Sequence, residues 1–102
     1  MDYQVKLSRS AQADIEDITR YISIDDPDQA LRFGRFLIEH TKTLGQFPER
    51  GRTVPEFEDE AIREIIVRAY RVVYRVNHDQ KTIEVIRFWH AGRGSPKLMR
   101  WS

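Results

Sequence analysis

At 102 residues with 40% hydrophobic content, including two Trp, four Tyr and five Phe, the chain can bury one core and is too apolar for disorder, so it reads as a single domain, residues 1–102. It has no cysteine, which removes disulfides, thiol catalysis and cysteine-ligated zinc and fits a cytoplasmic protein. No apolar run nears the roughly 18 residues of a membrane span, and the net charge of +1 hides a segregated chain: residues 1–60 carry 8 Lys/Arg against 13 Asp/Glu, and residues 61–102 carry 9 against 3.

The first residues, Met1 to Lys6, lack the apolar stretch of a secretory signal. Tyr3, Val5 and Leu7 alternate with Gln4 and Lys6, the period of a short strand. Ser8 is placed to cap a helix. Ala11, Ile15, Ile18 and Ile22 then recur at helical spacing, to an end near residues 23–25. Asp26-Pro27-Asp28-Gln29 opens a second helix. Asp26 caps it, Pro27 takes the first helical position, and Gln29 is placed to complete a capping box. Ala30, Phe33, Leu37, Thr41 and Leu44 form its apolar stripe, which stops near Gly45 or Gln46. Gly34 costs about 1 kcal/mol against alanine within a helix. Close approach of the first helix, in an antiparallel hairpin, would account for it.

Residues 48–61 follow no period, and a loop of that length in so small a domain is often functional. The acidic run from Glu56 to Glu60 reads as solvated, with Arg50 and Arg52 available to pin the loop. Strands follow at Ile62–Arg68, Tyr70–Asn77 and Thr82–His90. The last is apolar on both faces, as a central strand is. The order β-α-α-β-β-β is an α+β fold, with the helical hairpin on one face of a mainly antiparallel sheet. The other face is expected to expose Arg71 and Arg75.

Arg63, Arg68, Arg71, Arg75, Arg87 and Arg93 fall in this strand-rich half, and Arg100 follows. A basic sheet beside an acidic helical half suits a polyanion or an acidic protein segment. These six arginines and Trp89 form the candidate contact set. Plainer roles compete. Charges on open strands resist edge pairing, and Arg63, Arg68 and Arg87 can serve in surface ion pairs of small value. Tyr70 and Tyr74 share the apolar face of their strand. His40, His78 and His90 lack metal-ligand spacing, and no cofactor is implied.

Taken together, these segments resemble the RelE/ParE superfamily of toxins from type II toxin–antitoxin systems. The resemblance covers nearly the whole chain. It rests on Leu7-Ser8 with Ala11, Asp14 and Ile15; on Ile18, Tyr21 and Ile22; and on Gln29-Ala30 with Phe33 and Leu37. It continues through Arg63-Glu64, Tyr70-Arg71-Val72-Val73-Tyr74 and Phe88-Trp89-His90-Ala91-Gly92-Arg93. The block Phe47-Pro48-Glu49-Arg50-Gly51-Arg52, with Val54-Pro55-Glu56, is similar to the ParE and plasmid-stabilisation branch.

That branch implies a cytoplasmic toxin that binds and inhibits DNA gyrase without catalysis. A cognate antitoxin neutralises it, and operator DNA is contacted only through the antitoxin. The RelE branch instead cuts mRNA on the ribosome. For that metal-free chemistry the resemblance aligns Arg71 and Arg93 with functional arginines. His90 would be the acid, since a histidine titrates near pH 6.5, and Glu64 the base. The lysines of the RelE branch are absent from the strand before Arg71. No tyrosine follows Tyr74 to stack on a base, which leaves Trp101. A third reading is an inactive toxin fold that only grips a partner. In all three, an acidic antitoxin tail is expected to cover Arg71 and Arg75.

Overall fold

Ser8 starts the first helix, α1 (Arg9–Ser23), and ties it to the sheet. Its hydroxyl accepts the Ala11 N–H at 3.0 Å and donates to the Ile86 carbonyl at 2.9 Å. Asp26 starts the second, α2 (Pro27–Thr43), by accepting the Gln29 N–H at 3.1 Å. Gln29 does not close the expected capping box. The Asp26 N–H already donates to the Ile22 carbonyl, and the Gln29 side chain accepts from Arg32 instead. Gly34 does mark the helix contact, because a Cβ there would lie 3.0 Å from Thr19 Cγ2.

The computed structural model describes residues 2–93. Five strands form one sheet: β1 (Gln4–Leu7), β2 (Arg52–Thr53), β3 (Ile62–Val67), β4 (Tyr70–Asn77) and β5 (Thr82–His90). The strand order is β1-β5-β4-β3-β2. β1 runs parallel to β5, and the other pairs are antiparallel. β2 lies inside the segment that the sequence leaves as a loop. Two residues carry no period, so β2 has no signature in the chain itself.

Both faces of the sheet are apolar. On one, Ala11, Leu37 and Leu44 of the helical layer meet Val72, Tyr74, Ile83 and Val85. On the other, Val54 and Phe57 fold down over Ile62, Val73 and Ile86. The second face is therefore roofed by the segment after β2, not open.

β1 ends at Leu7, opposite Val85, so among the described residues no strand pairs with the rest of β5 on that side. Asp14 of α1 takes over there. One carboxylate oxygen accepts the Phe88 N–H at 2.9 Å, and the two together hold the Arg87 guanidinium at 2.7 and 2.9 Å. A buried strand N–H left unpaired would cost about 1–3 kcal/mol.

Candidate functional site

The motif Pro48-Glu49-Arg50-Gly51-Arg52 builds a knot at the edge of the sheet. Tyr74, fully buried, donates its hydroxyl to the Pro48 carbonyl at 2.9 Å and accepts the Gly51 N–H at 2.9 Å. Arg63 donates to the Gly51 carbonyl at 2.8 Å. Arg50 donates to Thr43 Oγ1 at the end of α2. Arg50 and Arg52 thus pin the loop, as the sequence suggests.

Burial pushes the Tyr74 phenol above its ordinary value, and the bond from Gly51 offsets only part of this. The sign of the pH dependence follows. Above about pH 10 the unfolded chain ionises this tyrosine while the folded chain keeps its proton. Stability should therefore fall as pH rises from there. Tyr74→Phe should remove that component and, at neutral pH, cost about 1–3 kcal/mol by stranding the Pro48 carbonyl and the Gly51 N–H. Urea melts of both proteins at pH 7 and pH 10.5 would check both effects.

Beyond the knot, Val54 and Phe57 anchor the loop and bring Glu56 over β4. The Arg71 guanidinium bonds both Glu56 oxygens at 2.9 Å and, through Nε, Glu64 at 2.6 Å. The second Glu64 oxygen accepts two bonds from Arg52, at 2.8 and 2.7 Å. Arg71 is only 9% exposed and Glu64 only 1%. The Glu56 bonds hold Arg71 protonated well above its ordinary range; burial opposes them and Glu64 adds to them.

This corrects the expectation of an exposed Arg71. Alternation places a residue on a face, but it does not say what covers that face. Glu56 belongs to the run read as solvated, and it occupies the place assigned to an antitoxin carboxylate. Arg75 does remain exposed, 3.7 Å from Asp59.

The other candidate residues scatter. Arg63 is spent on Gly51, and Arg87 on Asp14. Trp89 is 8% exposed, with the Arg87 guanidinium 5.0 Å from its ring centre. Arg68 turns the β3–β4 hairpin and lies over the Phe36 ring at 4.6 Å. Arg93 ends a short 3-10 turn, Ala91–Arg93. Arg100 and Trp101 lie outside the described residues.

His90 is exposed, and its Nδ1 accepts the Gly92 N–H at 3.0 Å, so the neutral ring carries its proton on Nε2. It stands edge-on to Tyr70 at 5.3 Å, in a cleft of about 420 Å³ with Asp14, Asp17 and Tyr21 of α1. That is the helical side of the sheet. Arg71 and Glu64 point to the roofed side, so they do not meet His90 at one site.

Sequence reasoning missed a second cleft, of about 540 Å³, between α2 and the β3–β4 hairpin. Phe33, Phe36, Tyr70, Arg32 and Arg68 line it. Its rings continue a series: His40 to Phe36 at 4.3 Å, Phe36 to Phe33 at 6.2 Å, Phe33 to Tyr70 at 5.8 Å and Tyr70 to His90. The visible signal is phenylalanine at positions 33 and 36, three apart on one helix.

The family profile described as "ParE toxin of type II toxin-antitoxin system, parDE" matches residues 5–94. Among curated proteins, none matches the sequence. The fold is similar to the chromosomal ParDE system of P. aeruginosa, with a TM-score of 0.70 and 25% identity over 86% of this chain and 95% of that one. It is also similar to the RelBE2 complex of Mycobacterium tuberculosis, with a TM-score of 0.68 and 21% identity over 88% and 99% of the two chains. A mutant E. coli RelE in the free state gives a TM-score of 0.58 and 18% identity over 92% and 88%.

Proposed function

We propose that this chain, which belongs to the ParE toxin family of type II toxin–antitoxin systems, arrests growth by binding and inhibiting DNA gyrase and is neutralised by a cognate antitoxin. The observation that carries the choice of target is the state of Arg71. Metal-free RNA cleavage needs a cation ready for the phosphorane. Here that arginine is buried and bonded to two carboxylates. His90, the candidate acid, lies across the sheet from it. A bidentate arginine–carboxylate pair is among the stronger charged contacts, so the arginine is better fitted to hold the fold than to grip a transient phosphate. The solved ParDE and RelBE2 complexes support a protein antitoxin as the partner. The reading places the toxin in the cytoplasm, acting as one domain without a cofactor.

The test pairs two purified systems. Gyrase acting on relaxed plasmid should lose supercoiling activity when the toxin is added and regain it with antitoxin. Ribosomes programmed with mRNA should leave the message whole. Cut message beside normal supercoiling would replace this reading with the RelE-like one. No effect on either would point to an inactive binding module.

A further inference from the structure

We propose that the cleft between α2 and the β3–β4 hairpin binds a nucleoside phosphate, with the base stacked on Phe33 and Tyr70 and the phosphate held by Arg32 and Arg68. Charge is the first reason. Arg71, Arg75 and Arg87 each face a carboxylate of this chain, and Arg63 is held by the Gly51 carbonyl. Arg68 has no hydrogen bond or ion pair among the described residues, and Arg32 bonds only the neutral Gln29. Among the described residues no carboxylate lines the cleft. Arg32 and Arg68 therefore leave positive charge at this cleft, where it favours an anion.

The backbone gives the second reason. Arg68 and Ala69 form a two-residue hairpin loop, and Arg68 sits at φ 55°. Glycine, asparagine or aspartate fills such a position at lower cost. A turn alone has no use for arginine there. The backbone instead holds a guanidinium over Phe36 at 4.6 Å. A guanidinium stacked in this way keeps its N–H donors in its own plane, suited to a phosphate.

The floor and the size complete the argument. Phe33 and Tyr70 line the cleft with aromatic rings, on which any base can stack. A volume of about 540 Å³ is that of a small-ligand cleft. It matches one nucleotide better than an acidic helix, which needs a row of apolar pockets along its length. A free nucleotide and one unit of a single strand present the same chemistry. The proposal concerns the chain by itself and holds whichever target the toxin has.

The experiment measures fluorescence anisotropy of a labelled short single-stranded oligonucleotide with the full-length protein, with AMP and ATP as competitors. Two cations on a single strand predict a salt slope of about −1.4. Arg68→Gly suits the backbone, so its thermal midpoint should hold or rise while affinity falls about tenfold. Its slope should drop to about −0.7. Arg32→Ala should weaken binding similarly. Displacement by AMP or ATP would identify free nucleotide as the ligand; displacement only by unlabelled strand would identify nucleic acid. The proposal is overturned if neither probe binds at low salt, if both variants bind like the parent, or if an acidic peptide binds where nucleotides do not.

Discussion

Arg71→Ala is expected to destabilise the fold by about 3–5 kcal/mol, because removing one partner of a buried ion pair leaves the other charge uncompensated. Glu64, 1% exposed, would keep only Arg52, whose side chain is largely in solvent. Glu56 would be released, and with it the loop that roofs Val73 and Ile86. In a domain of about 100 residues each kcal/mol shifts the melting midpoint by roughly 4–8 °C. The midpoint should therefore drop by more than about 10 °C. A companion variant, Arg71→Met with Glu64→Leu, removes both buried charges and should recover most of the loss. Thermal melts followed by circular dichroism would compare the three. A wild-type midpoint for the single variant would mean that this cluster does not hold the loop. The result also governs how toxicity assays are read. Lost toxicity in Arg71→Ala reports unfolding unless the variant is shown to be folded, so it is no evidence of catalysis. Glu56→Gln, which keeps the shape and removes the outer charge, is the better probe of the arginine itself.

Gly51→Ala should be nearly as damaging, by about 3 kcal/mol, the upper end for forcing atoms into a packed site. A Cβ at this position would press into the Glu64 carbonyl oxygen and come within 2.7 Å of the Tyr74 hydroxyl. Neither neighbour can give way cheaply. Glu64 sits in β3, fixed by pairing with β4 on one side and β2 on the other. Tyr74 is fully buried and holds Pro48 through the same hydroxyl. The Glu64 carbonyl is backbone and has no rotamer through which to relieve the clash. The damage should spread, because the knot fixes where the following loop starts, and so where Glu56 meets Arg71. Urea titration should show a lower midpoint for Gly51→Ala than for Tyr74→Phe, which loses the two bonds without the clash. The reverse order would mean that the loop can lift off at little cost.

Local signals reveal the elements of this chain, and contacts between distant segments account for what they miss. Ser8 and Asp26 start helices where their side chains predict. The final strand spans Thr82 to His90, where the sequence is apolar on both faces. The site is less legible. Alternation along β4 puts Arg71, Val73 and Arg75 on one side, and Val73 is the sign that this side is covered. An apolar residue between two arginines needs a cover, and Val54 and Phe57 supply it. Which acid meets Arg71 is set by how the loop folds back over 15 positions of sequence, and no local pattern encodes that. Asp14 is similar. It reads as one acid on a solvated helix face until β1 stops short and leaves the Phe88 N–H for it.

The pairing of β1 with β5 matters before any partner is met. Gln4 lies opposite Thr82 and Leu7 opposite Val85, so the first strand waits for the last. While the ribosome is still making this chain, α1 and α2 can form, but the sheet beneath them cannot close. Contacts so far apart in sequence are slow to form and leave apolar surface uncovered in the meantime. The sheet therefore stays unfinished until Thr82 to His90 have been made, and the apolar face of the helices has nothing to pack on before then.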